Sequence, residues 1–149
     1  MGTATGEADQ LAYARRAYLS GLDQIQADGT LPRELRRKVK ALDYHNYALA
    51  PLILSAELAA VRGEDWYSLR DGALHRLVAR TLAGIADPPA FAQLAGEPSV
   101  EVPKGGVLGW FAFYRARFPD RAGAGPAGPF QYDWLGGDLS LTAARGFPR

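Results

Sequence analysis

The feature that most constrains this chain is residues 40–63, where Leu42, His45, Leu49, Leu52, Ile53, Ala56, Ala59 and Ala60 recur at spacings of three and four. That period puts them on one stripe of an α-helix, and so long a stripe must be buried against other elements. Gly63 supplies the stop. Pro51 falls inside the helix and cannot donate to the carbonyl of Tyr47, so a bend is expected there, with that acceptor left free. Tyr44, Tyr47, Ala48 and Pro51 share the face of the bend. This reads either as a helix opening onto a cleft or as a kinked core helix with two packed tyrosines.

Charge is concentrated just ahead of this helix. Five cations, Arg33, Arg36, Arg37, Lys38 and Lys40, fall within eight residues, and Tyr44, His45, Asn46 and Tyr47 follow with phenol, imidazole and amide groups. Cations beside a helix N-terminus gain nothing from the helix dipole, so the cluster invites a reading as an anion site next to a proton donor, against the plainer one of a solvated basic helix start. Whether residues 33–40 are helical or extended is open. A helix would place Arg37 and Tyr44, seven apart, on one face.

The remaining chain reads as further helices. Residues 8–27 carry Leu11, Ala14, Tyr18, Leu22 and Ile25 on one face, and residues 28–32 (DGTLP) form a turn signal. Residues 72–86 repeat Leu74, Leu77, Val78, Leu82 and Ile85 at helical spacing, and Asp87-Pro88-Pro89 stops them ahead of a short helix at 90–95. His75 stands one position off that stripe with no second ligand at metal spacing, which marks a boundary histidine. Residues 107–118 hold Trp110, Phe111, Phe113, Tyr114 and Phe118, expected mostly in the core, with Trp110 and Tyr114 as the alternative wall for a sugar ring. From 119 onward the chain is rich in glycine and proline and is expected to be irregular, anchored by Phe130, Tyr132 and Trp134, with alternation at 138–142 (DLSLT) permitting one short strand.

The pattern alone gives a mostly helical, all-α domain of about four to five helices, whose order of helix, short break, helix suggests antiparallel helical hairpins, with an irregular tail at 119–149. A chain of 149 residues with 48% apolar content can bury a core, and a net charge of +1 indicates neither disorder nor a nucleic-acid-binding polycation. The absence of cysteine excludes disulfides and thiolate metal sites without deciding a compartment. No basic start followed by an apolar run marks an export signal, and no segment approaches the ~20 apolar residues of a membrane span.

The run ADGTLPRELRRKVKALDYHNYALAPLILSAELA (27–59) resembles the second half of polysaccharide lyase family 5, the periplasmic alginate (polymannuronate) lyases, with similarity from residue 1 to about 118 and more weakly to Gly136-Gly137. The resemblance implies an incomplete (α/α) toroid, an anionic uronate polymer as partner, a periplasmic setting, and no metal or other cofactor. It also places Arg37 at the arginine that neutralises the substrate carboxylate and Tyr44 at the catalytic tyrosine, with Arg36, Lys38 and His45 as weaker candidates for substrate contact. An Asn-His dipeptide that completes the family's site is absent here; Asn46 follows His45 in reverse order. The family's Trp-Leu-Glu-Pro-Tyr run reads Val107-Leu108-Gly109-Trp110-Phe111, and Trp134 stands where an arginine is usual.

Three readings follow: a β-eliminating lyase in truncated form, a non-catalytic helical module binding an anionic glycan, and a structural fragment. Truncation carries two further expectations, that the chain alone is inactive and that the uncovered Tyr13 and Ala17 side of the first helix drives self-association. Tyr44 is expected to contribute chemistry and Tyr47 packing.

Overall fold

The structure, a computed structural model, describes residues 8–133 and 137–147. Helix α1 (Ala8–Leu22) is followed by a short α2 (Pro32–Leu35), a 3-10 turn at Lys38–Lys40, and the long α3 (Ala41–Val61). Then come α4 (Leu69–Ala86), α5 (Pro88–Ala95), a 3-10 turn at Gly105–Leu108, α6 (Trp110–Arg117), α7 (Pro119–Ala122), strands β1 (Gln131–Tyr132) and β2 (Gly137–Asp138), and α8 (Leu139–Arg145). The all-α reading holds among the described residues, apart from the antiparallel β1–β2 ribbon.

The long helix is the spine. Leu42, His45, Leu49, Ile53, Ala56 and Ala59 of the expected stripe are buried, while Leu52 and Ala60 are half-buried. Pro51 lies inside α3 and is exposed. The flanking helices run antiparallel to α3. Gly21, late in α1, lies against Leu52, whereas Leu11, early in α1, shares a groove wall with Leu58 and Arg62. Gly84, late in α4, faces Leu42 at the start of α3, where a Cβ would crowd Leu42 and Phe91.

Several expectations are corrected. Helix α1 stops at Leu22 rather than Ala27, because Gln24 and Ile25 turn back to the carbonyls of Gly21 and Leu22 (3.2 and 3.0 Å) and Asp28 Oδ1 accepts from Thr30 N–H and Oγ1–H (2.9 and 2.7 Å). Within α1 only Tyr18 and Leu22 are buried; Leu11 is half-buried and Ala14 exposed. Residues 33–40 are neither one helix nor extended. They form two short helical pieces, with Lys38 in the left-handed region at φ 59°. Arg70, Asp71 and Gly72 are also left-handed, so regular α4 geometry begins after them, close to the expected start. Helix α5 begins at Pro88, not 90: proline suits a first helical position, and Asp87 accepts from Ala90 N–H at 3.1 Å.

The tail is more ordered than its composition suggests. Phe130 and Leu139 join the main core, and Phe113 stacks on Phe147 at 5.5 Å. Only Asp138 of the expected 138–142 strand is a strand residue. Its side chain accepts from Ser140 N–H at 2.9 Å and caps α8, which takes the rest. Trp134 and Gly136 lie outside the described residues. Trp110 and Tyr114 are buried, so the core reading applies and neither forms a wall for a sugar ring.

Candidate active site

Successive residues on a helix point about 100° apart, so the run Tyr44, His45, Asn46 in the first turns of α3 addresses three different neighbours. Tyr44 is half-buried and turns toward the basic segment. The Arg37 guanidinium carbon lies 4.7 Å from the centroid of its ring, a cation–π contact between two residues singled out from sequence. Arg37 Nε also donates to Glu34 Oε2 at 3.3 Å, and its side chain remains 54% exposed. The pairing comes from the chain turning at Lys38, not from a shared helical face.

His45 faces inward and is fully buried. Its Nε2 accepts from Leu31 N–H at 2.9 Å, so the proton sits on Nδ1, which donates to the Ala41 carbonyl at 2.7 Å. With both ring nitrogens engaged by backbone and the ring edge-on to Phe91 at 5.2 Å, His45 holds the fold together and does not face a substrate, contrary to the sequence expectation. Burial pushes its pKa below the usual value; the Ala41 hydrogen bond and the nearby Glu34 and Asp28 oppose that shift, and Arg80 adds to it.

Asn46 joins α3 to the aromatic segment. Its Oδ1 accepts from Trp110 Nε1–H at 2.7 Å and its Nδ2 donates to the Val107 carbonyl at 3.1 Å. Tyr47, expected to pack, is 48% exposed, with its ring edge-on to Tyr44 at 6.0 Å. Asp43 raises the pKa of the Tyr47 phenol, and burial beside Glu101 raises that of Asp43 itself, with Lys40 opposing. Arg36 and Lys38 are exposed on the same segment as Arg37.

A second polar cluster, missed from sequence, lies toward the other end of α3. Arg117 donates to both oxygens of Glu57 (2.6 and 2.7 Å), and Tyr67 O–H donates to Glu57 Oε1 at 2.7 Å. Tyr67 stacks on His75, whose Nδ1 lies 2.8 Å from the Tyr114 hydroxyl, so the boundary histidine is built into an aromatic cluster. Glu57 and Arg117 are sixty positions apart, and no spacing rule joins them. Asn46 did carry a signal, being an amide within an apolar helix. Among the described residues no group of three or more His, Cys, Asp or Glu could hold a metal ion.

Two grooves, of about 450 and 320 Å3, lie between α1 and α3. Glu34 borders the larger, so the basic segment stands at its rim while Arg37 and Tyr44 lie outside both walls.

Comparison with known proteins identifies the family. The family model described as alginate lyase matches residues 1–91. A polysaccharide lyase of Stenotrophomonas maltophilia (strain K279a) is 43% identical over 99% of this chain and 45% of its own length, and an alginate lyase of Cobetia marina is 45% identical over 63% of this chain and 25% of its own. Two alginate lyase A1-III structures, one an apo form and one a tyrosine-to-phenylalanine variant complexed with tetrasaccharide, superpose with TM-scores of 0.73 and 0.72 at 29% and 27% identity. They are covered over 37% and 39% of their length, for 85% and 89% of this chain. The chain thus spans less than half the length of these relatives. Since the family model matches residues 1–91, more than half of the chain, the chain belongs to the alginate lyase family.

Proposed function

We propose that this chain supplies part of the active site of a polysaccharide lyase that cleaves mannuronate-type uronate polymers by β-elimination. The observation that carries the proposal is the Arg37 guanidinium over the ring of Tyr44, at the edge of an exposed cationic segment. In β-elimination a base removes the proton on the carbon next to the carboxylate. The electron pair then forms a carbon–carbon double bond, and the glycosidic oxygen leaves from the adjacent carbon with a proton. Charge builds on the carboxylate side, where Arg37 neutralises it, with Arg36 and Lys38 adding positive potential. Tyr44 gives its proton to the departing oxygen. No metal or cofactor enters this scheme.

The family resemblance also supports a periplasmic setting and a helical toroid of which these hairpins are one part. No helix among the described residues is long and apolar enough to cross a membrane.

The test is a chimera in which this chain replaces its matched segment of the Stenotrophomonas relative. Polymannuronate turnover, followed by ultraviolet absorbance of the unsaturated product, is the expected result. A folded, inactive chimera contradicts the proposal. The second reading, a module that binds an anionic glycan without cleaving it, is favoured for the isolated chain by its lack of an Asn-His dipeptide. It predicts oligomannuronate binding without product.

A further inference from the structure

We propose that His45 is a positioning residue for the Arg37–Tyr44 pair, holding the basic segment in register with α3 through its neutral Nδ1–H tautomer. The proposal rests on the functional reading above for what the pair does, but its geometric core stands separately.

The contacts form a closed circuit. His45 Nε2 holds the N–H of Leu31, and the Leu31 carbonyl accepts from the N–H groups of Glu34 and Leu35, both at 2.9 Å, making Leu31 the residue on which α2 starts. Glu34, on α2, accepts from Arg37 Nε, and Arg37 lies over Tyr44, the residue immediately before His45. Two adjacent side chains of α3 therefore grip the two ends of one excursion, residues 31–37. Arg37 is largely exposed and its partner Glu34 half-buried, and so partly exposed an ion pair contributes little to fixing the segment by itself. The buried end, at His45, sets where the excursion begins.

The chemistry of the imidazole makes the device specific. Only an unprotonated Nε2 accepts from Leu31, so a proton added there would set N–H against N–H. The surrounding charges come from three elements: Glu34 on α2, Asp28 in the preceding turn and Arg80 on α4, with the Phe91 ring edge from α5 closing the pocket. Because burial lowers the folded-state pKa, the unfolded chain takes the proton first. The contribution of His45 is therefore complete above its ordinary value near ~6.5 and is lost as pH falls below it. The turn ahead of Leu31 has its own tether to α4. Arg80 Nε donates to the Asp28 carbonyl at 2.8 Å, so loss of the His45 bond frees the α2 end of the loop without releasing the whole turn.

The test uses the isotope-labelled full chain. Long-range nitrogen–proton correlation should show the Nδ1–H tautomer for His45 at neutral pH, and acidification should move the Leu31 amide and the Tyr44 ring signals together with the His45 ring. His45→Gln, which can still present an acceptor to Leu31, is expected to keep the Tyr44 ring shifts. It should bind a mannuronate tetrasaccharide within about three-fold of the native chain, whereas His45→Leu should weaken binding by about ten-fold or more. A His45→Leu chain that melts earlier yet keeps native Tyr44 shifts and affinity would reduce His45 to a core residue and overturn the proposal, as would an Nε2–H tautomer. If the native chain binds no tetrasaccharide, the functional reading fails, while the tautomer and the coupled Leu31 and Tyr44 shifts still decide the positioning.

Discussion

Tyr44, His45 and Asn46 show how three consecutive residues divide labour by helical rotation alone. One meets the cationic segment, one the turn before it, and one the aromatic helix. Asn46 is the most exacting of the three structurally, because it satisfies both a buried indole N–H and a backbone carbonyl. Asn46→Leu leaves both without their partner and is expected to lower stability by about 2–4 kcal/mol, measured by urea denaturation. Asn46→Asp keeps the acceptor for Trp110 but sets a buried carboxylate against the Val107 carbonyl, and should cost at least as much.

At the scale of elements, the α3–α4–α5 junction depends on Gly84. A Cβ there would come within 2.5 Å of the Phe91 ring and 2.8 Å of Leu42, both buried. Gly84→Ala gains helix propensity but overpacks the junction, and the net loss should be about 1–3 kcal/mol, seen as a lower melting temperature. The spine was legible from sequence because its stripe is long and uninterrupted, as was α4 from its own stripe. The basic segment was not, since its form depends on a left-handed Lys38 that no residue-type preference announces. The strand expected at 138–142 failed because alternation over five residues is weaker than an aspartate cap followed by helix-compatible residues. Tyr47 was misjudged for a related reason: a tyrosine one turn from another reads as packing, but α3 presents it to solvent.

For the whole molecule, α1 and the grooves beside it make up an exposed, partly apolar side. Tyr13 is 69% exposed, and Leu58 on the neighbouring face of α3 is also exposed. We propose that two copies of the isolated chain associate through this side. Sedimentation at micromolar concentration should show a concentration-dependent dimer that Tyr13→Glu shifts toward monomer; a monomer at all concentrations contradicts the proposal.

The proposed elimination depends most on Tyr44, which the family resemblance places at the proton donor and which lies under the Arg37 guanidinium. The most direct measurement is lyase turnover of the chimera carrying Tyr44→Phe, set beside Tyr47→Phe. Removing only the Tyr44 hydroxyl is expected to lower kcat by about 10²–10⁴-fold with the melting temperature unchanged, while Tyr47→Phe stays within about ten-fold of the parent. Retained turnover in the Tyr44→Phe chimera, or a greater loss in Tyr47→Phe, would contradict the assignment of the proton transfer to Tyr44.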